Sequence, residues 1–276
     1  MTPVPLAGVI GHPIHHSRSP ALHGHWLKTY GIRGHYIPMD VAEGDLEAVL
    51  RTLPKAGFVG CNITIPHKET ALALAAVVSD RALRIGAANT LVFDETGRIH
   101  ADNTDGIGFL ANLAEGAPGW QAEAGPAAVI GAGGAARAIV VALLEAGCPE
   151  IRISNRTRAR AEALCAEFGP RLVVADWESV STIFDGAATV VNTSSLGMAG
   201  KAAFDVPLEA LSATAVVTDC VYTPLRTDFL NAAAARGCVT VDGLGMLLHQ
   251  AVPGFERWFG RRPEVTAELR AVVLAA

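Results

Sequence analysis

This chain has little of what several protein classes require. Its five cysteines are scattered, odd in number and never in CxxC spacing. That excludes a disulfide scaffold and fits reduced thiols, packed as small apolar side chains, in a cytoplasmic protein. No HExxH or paired Cys/His spacing occurs. Six of the nine histidines (His12, His15, His16, His23, His25 and His35) crowd the start of the chain, and they are expected to flank a loop and decorate the surface, not to bind metal. Net charge is −5 with no basic run, which removes the electrostatic basis for nucleic-acid binding. No apolar stretch approaches the roughly eighteen uninterrupted residues of a membrane span. Residues 4–10 are apolar but short and follow no cationic region, so a first strand is expected there and not a signal peptide.

What is present is a chain of 276 residues, half of them hydrophobic, long enough for two domains. Near its middle stands Ala127-Ala128-Val129-Ile130-Gly131-Ala132-Gly133-Gly134-Ala135-Ala136-Arg137. It reads as an apolar strand, a tight turn and a helix start, the unit that brings backbone N–H groups up to a pyrophosphate. Gly131, Gly133 and Ala136 occupy the three diagnostic positions, with Ala132, Gly134 and Ala135 between them. A plain structural turn is the competing reading, but a second strand ends about 20 residues on, as the fingerprint requires.

The end of that second strand lacks a carboxylate. NAD sites place an acidic residue there for the ribose 2′-hydroxyl. Here the run is Ser154-Asn155-Arg156-Thr157-Arg158-Ala159-Arg160. Positive charge and donors suit a 2′-phosphate, so NADP is expected, with Arg156 as main contact and Asn155, Thr157 and Arg160 in support. At least one of these arginines is expected to be merely solvated.

Strand patterns at 127–130, 151–154, 172–175, 189–192, 216–219 and 239–241, with helices at 135–146, 158–168 and 227–236, imply a doubly wound parallel sheet. The first hundred residues also alternate. Strands are expected at 6–11, 35–41 and 58–65, a helix from Ser19 as N-cap with Pro20 at its first position, and another at 45–55 closed near Gly57. A helix is expected to start at Pro66, and a hairpin to turn through 94–97. Residues 246–276 read as two helices with no strand to feed, expected to pack back on the first domain. The expected division is 1–105 plus 246–276, a three-layer α/β substrate domain, and 106–245, a Rossmann domain.

Two ionisable residues outside the glycine-rich unit stand in unusual surroundings. Lys68 falls in the first turn of a helix just past a strand, where it opposes the helix dipole. Asp105 falls at another helix start, where a carboxylate is favoured. A surface lysine and a simple helix-start carboxylate are the bland alternatives.

Gly11-His12-Pro13-Ile14-His15-His16-Ser17-Arg18-Ser19-Pro20 resembles the G-x-P-I-x-H-S-x-S-P signature of the shikimate dehydrogenase family. Asn62-Ile63-Thr64-Ile65-Pro66-His67-Lys68, Ile85-Gly86-Ala87-Ala88-Asn89-Thr90 and Asn103-Thr104-Asp105-Gly106 are similar to its next motifs. Asn192-Thr193-Ser194-Ser195-Leu196-Gly197-Met198, Asp219-Cys220-Val221-Tyr222-Thr223-Pro224 and Gly243-Leu244-Gly245-Met246-Leu247-Leu248-His249-Gln250 complete the set in order.

The resemblance implies NADPH-dependent, reversible reduction of 3-dehydroshikimate to shikimate, a step toward chorismate and the aromatic amino acids. It implies Lys68 and Asp105 as the acid/base pair. Ser17, Ser19 and Tyr222, with Thr64, would hold the substrate carboxylate; Asn89, Lys68, Asp105 and Gln250 would hold its hydroxyls. Thr193, Val221 and Gly243 would lie beside the cofactor. His23-Gly24 departs from the family's His-Asn, and glycine weakens that helix by roughly 1 kcal/mol relative to alanine. Two other readings stand beside this one: a quinate/shikimate enzyme using NAD, and a catalytically silent NADPH-binding sensor. A monomer and a homodimer are both compatible with the sequence.

Overall fold

A computed structural model describes residues 4–276. The chain divides into two compact units, the residues up to Thr104 with Leu248–Ala276, and Asp105–Leu247.

The first unit begins with β1 (Leu6–Gly11), α1 (Ser19–Thr29), β2 (His35–Asp40), α2 (Leu46–Thr52), β3 (Gly60–Ile63) and α3 (Lys68–Ala73). It continues through β4 (Val77–Val78), α4 (Asp80–Ile85), β5 (Thr90–Phe93) and β6 (Ile99–Asp102). The strands form one mixed sheet in the order β2-β1-β3-β5-β6-β4. Only the β3–β5 and β5–β6 pairs are antiparallel. The β5–β6 hairpin turns at Asp94, whose carboxylate accepts the backbone N–H of Thr96 and of Arg98, an Asx-type closure. On one face Ile10, Leu46, Leu50, Ile63 and Leu91 make an aliphatic core.

Aromatic rings dominate another part of this unit. Three expectations need correction there and nearby. Ser19 does not cap α1: Arg18 is the N-cap, in helical geometry and without a side-chain cap bond. A turn closed by Ser17 N–H on Ile14 O runs straight into the helix, so Ser19 is already its first residue. Pro66 does not start α3, which begins at Lys68. His23 is not a surface residue; it is fully buried, stacked on Tyr36 with ring centroids 3.9 Å apart and flanked by Trp26, Phe255 and Trp258. Burial pushes its pKa down to about 3, with the Asn62 amide opposing, so the ring stays neutral.

The second unit runs α5 (Asp105–Gly116), β7 (Ala127–Ile130), α6 (Gly134–Glu145), β8 (Ile151–Ser154), α7 (Arg158–Phe168) and β9 (Leu172–Ala175). Then come β10 (Thr189–Asn192), β11 (Val216–Asp219), α8 (Asp228–Ala235) and β12 (Val239–Val241). Its sheet is parallel throughout, in the order β12-β11-β10-β7-β8-β9. This is the doubly wound Rossmann arrangement, whose strand order reverses beside β7. Every residue of β7 is buried, as a central strand covered on both faces must be.

The chain returns to the first unit within α9 (Leu244–Phe259), followed by α10 (Ala267–Ala275). Trp258 Nε1 donates to Leu91 O at 2.9 Å, tying α9 to β5, and Trp26 Nε1 donates to Glu264 O at 2.9 Å, tying the α9–α10 connection to α1. Among the described residues, no helix is long and apolar enough to cross a membrane.

Candidate active site

In the first unit, polar residues buried at strand ends build a frame around Asn89. Asn89 is 2 % exposed. Its Oδ1 accepts the Thr90 hydroxyl at 2.8 Å and the Thr104 N–H at 2.9 Å. With the oxygen committed to donors, the amide nitrogen points the other way and donates to Gln250 Oε1 at 3.2 Å. Thr104 Oγ1 reaches Gln250 O at 2.8 Å, so α9 is held to the same spot. Below lies Asn62, which donates to Asn89 O at 3.0 Å and accepts the Tyr36 hydroxyl at 2.7 Å.

Lys68 opens α3 half-buried, and its backbone carbonyl accepts the N–H of Ala88, one residue before Asn89. The neighbouring His67 is buried and bonds Val41 O at 2.8 Å through Nε2, which pins the helix start. Thr64 follows β3, its N–H on Ile10 O. Ser17 and Ser19 meet at the mouth of α1, where the Ser19 N–H donates to Ser17 Oγ at 3.3 Å. A second frame secures the far side of Asn89. The buried Asp102 carboxylate accepts Arg81 Nε at 2.7 Å, Arg257 Nη2 at 2.9 Å, Ser79 Oγ at 2.7 Å and the Asn103 N–H at 2.8 Å. Burial raises its pKa but the two arginines and Ser79 win, so it lies below its usual value.

The second unit carries Asp105 as the first residue of α5, only 7 % exposed. It also carries Tyr222, half-buried in the loop after β11. The glycine-rich turn links β7 to α6. Gly131 has φ +106°, and a Cβ there would lie 2.7 Å from Thr193 Oγ1, so only glycine fits. Gly133 and Gly134 differ: a Cβ at either would meet nothing within 4 Å. No packing within the protein explains their missing side chains. The open cradle, beside an α6 N-terminus with no side-chain cap, is what a pyrophosphate requires.

At the end of β8, Asn155 is spent on the protein itself. Its Oδ1 accepts the Ala132 N–H at 3.2 Å and its Nδ2 donates to Thr157 O at 2.9 Å, fastening the cradle to the β8 loop. Arg158 bonds Glu162 Oε1 at 2.7 Å and also the Asp176 carboxylate. Arg156 and Arg160 are exposed, with no ion pair among the described residues. The donor set thus fits an anionic group beyond β8.

Thr193 is half-buried and donates to Ile130 O at 2.8 Å. Val221 is buried, with its N–H on Asp219 Oδ1 at 2.9 Å. Gly243 packs against the chain after β11, where a Cβ would lie 2.5 Å from Asp219 O. Among the described residues no cluster of three or more His, Cys, Asp or Glu could hold a metal ion.

Sequence motifs alone assign no role to Asn62, Thr90, Thr104 or Asp102. Their one signal in the sequence is polarity: Asn62, Thr90 and Asp102 lie in short strands and Thr104 just after β6, and their partnership exists only once β3, β5 and β6 pair.

Comparison with known proteins gives concordant matches. Family models described as "Shikimate dehydrogenase substrate binding domain", "Shikimate / quinate 5-dehydrogenase" and "Shikimate 5'-dehydrogenase C-terminal domain" match residues 9–91, 113–196 and 243–274. A curated protein of Cereibacter sphaeroides named "Shikimate dehydrogenase (NADP(+))" is 67% identical, covering 99% of this chain and 98% of its own. A Thermus thermophilus shikimate 5-dehydrogenase solved with NADP(H) and shikimate is 40% identical with TM-score 0.88, covering 99% of this chain and 100% of its own. A Corynebacterium glutamicum quinate dehydrogenase solved with NAD is 32% identical with TM-score 0.92, covering 99% of both.

Proposed function

This chain belongs to the shikimate dehydrogenase family, and we propose that it interconverts 3-dehydroshikimate and shikimate with NADP(H). Two features support this reading, one in each unit. The polar frame presents the Asn89 amide and Gln250 for a hydroxylated ring, while the end of β8 offers Arg156 in place of a carboxylate.

The dinucleotide, when bound, supplies the hydride. Gly131, Ala132, Gly133, Gly134 and Ala135 would hold its pyrophosphate, and Arg156, with Thr157 and Arg160, its 2′-phosphate. Asn155 would support them indirectly, by anchoring the cradle. Thr193, Val221 and Gly243 would border its nicotinamide end.

Hydride arrival at a ring ketone leaves an alkoxide. Lys68 Nζ stabilises that oxygen and gives it a proton; in the oxidative direction Lys68 takes the proton back. Asp105 accepts a hydrogen bond from a substrate hydroxyl and shares the proton-handling role with Lys68. Such acid–base assistance is worth about 10²–10⁴-fold. Asn89 and Gln250 orient the hydroxyls. Ser17, Ser19, Thr64 and Tyr222 bind the carboxylate through hydroxyl donors.

Consumption of NADPH with 3-dehydroshikimate, and its loss by about a hundredfold or more in Lys68→Ala, tests this mechanism. Full turnover in that variant would remove Lys68 from it. The five free cysteines suit a cytoplasmic setting. A homodimer is proposed as the assembly, Ile37 being exposed on the edge strand β2. Sedimentation as a monomer at micromolar concentration would refute it.

A further inference from the structure

The carboxylate of Asp219 is 1 % exposed and belongs to none of the groups that handle substrate or cofactor above. It stands at the end of β11 and collects three donors. Oδ1 accepts the Val221 N–H at 2.9 Å and Asn192 Nδ2 at 2.9 Å; Oδ2 accepts the Thr227 hydroxyl at 2.8 Å. Asn192, at the end of the adjacent strand β10, is fully buried. Its Oδ1 takes the N–H and hydroxyl of Ser194 at 3.0 and 2.7 Å, and its Nδ2 also donates to Leu196 O at 3.1 Å.

One buried pair thus shapes both loops that leave these strands. The loops also meet directly, Ala199 N–H donating to Thr223 O at 2.9 Å. On the other side the Gly243 backbone approaches the Asp219–Cys220 backbone so closely that a Cβ at 243 would lie 2.5 Å from Asp219 O. A carboxylate that is costly to bury is retained where it can organise three donors at once.

We propose that Asp219, acting through Asn192, is the positioning residue that holds the Thr193–Leu196 and Val221–Thr227 segments in register for the nicotinamide half of the dinucleotide. This rests on the cofactor reading above. The role is geometric: Asp219 supplies acceptors at fixed points, and its charge is dispensable. Asparagine at 219 can still accept from Val221 and Asn192 through Oδ1, while the Thr227 hydroxyl turns to accept from its Nδ2.

The test separates the two ends of the cofactor. Adenosine 2′,5′-bisphosphate carries the 2′-phosphate but no nicotinamide, so its affinity reports only the β8 end. In calorimetric titrations Asp219→Ala is expected to bind NADP at least about tenfold more weakly than wild type, and the bisphosphate within about twofold of it. Asp219→Asn is expected to restore NADP affinity to within about threefold. Equal weakening of both ligands in Asp219→Ala, unchanged NADP binding, or an Asp219→Asn enzyme with the full alanine defect would each overturn the proposal. If Asp219→Ala does not fold, Thr227→Val removes the hydroxyl that donates to Asp219 and, with it, the cap on the Leu230 N–H at the start of α8, so its folding is checked by urea midpoint first. NADP weakened by about threefold or more with bisphosphate binding intact supports the assignment, and parallel changes overturn it. Wild-type protein that bound neither ligand would overturn the cofactor reading and this proposal with it.

Discussion

Thr90 donates its hydroxyl hydrogen to Oδ1 of its own neighbour, Asn89, across 2.8 Å, and both side chains are buried. Together with the Thr104 N–H on the same oxygen, that bond sets which end of the Asn89 amide faces Gln250. Thr90→Val keeps the shape and deletes the donor. It is expected to cost about 1–2 kcal/mol of stability and to raise KM for shikimate by about tenfold, with KM for NADP unchanged. Thr90→Ser is expected to restore the substrate KM. Steady-state kinetics on both variants check this, and an equal rise in both KM values would mean that Thr90 merely supports the fold.

The three arginines after β8 are not equivalent. Arg158 is engaged by Glu162 and Asp176, whereas Arg156 is exposed and makes no ion pair among the described residues. Charge-assisted hydrogen bonds are worth about 1.5–3 kcal/mol, so Arg156→Ala should lower the NADP-over-NAD preference in kcat/KM by at least about tenfold. Arg158→Ala should change it by less than about threefold. A larger loss from Arg158→Ala would place the 2′-phosphate elsewhere.

Two glycines of the same turn should respond in opposite ways. Gly131→Ala forces a side chain into φ +106° and to 2.7 Å from Thr193 Oγ1, so the fold itself should lose more than about 1 kcal/mol. Gly133→Ala meets open space at φ −96°, so its urea midpoint should match wild type while KM for NADP rises. A Gly133→Ala enzyme with native KM would show that the cradle does not hold the cofactor.

Asp219 gives the pH dependence a definite sign. Burial raises its pKa from 3.8 to about 6 against the pull of Val221, Thr227 and Asn192. The thiol of the adjacent residue, Cys220, is raised first by burial and then by Asp219 and Asp105. The folded chain therefore holds the Asp219 proton more tightly than the unfolded chain does between about pH 4 and pH 6. Stability from this group is present below that window and is lost as pH rises through it. Asp219→Asn has no such proton, and other groups cancel in the comparison. Urea unfolding from about pH 4 to pH 7 should show wild type losing about 3 kcal/mol relative to Asp219→Asn. A constant difference across that range would refute the buried ionisation.

The strands of the second unit were legible because each is a short apolar run set between helices of ordinary length. β7 through β12 coincide with the expected segments. The two-residue β4 and the six-residue α4 escaped notice, since periodicity needs more residues than either has. His23 shows the other limit. Its partners Phe255 and Trp258 lie far along the chain, and no local pattern announces that a histidine will stack inside an aromatic cluster. Lys68, Asp105, Asn89 and Gln250 were readable as ordered motifs. The frame that orients Asn89 was not, because Asn62, Thr90 and Thr104 acquire meaning only when β3 pairs with β5 and β5 with β6.

The proposed reaction is a hydroxyl-to-ketone oxidation of shikimate with NADP as hydride acceptor. Initial rates of the wild-type protein with shikimate and with quinate, each with NADP and with NAD, test it most directly. The highest kcat/KM is expected for shikimate with NADP, by at least about tenfold over either exchange. A clear preference for NAD or for quinate, or no turnover of shikimate, would contradict it.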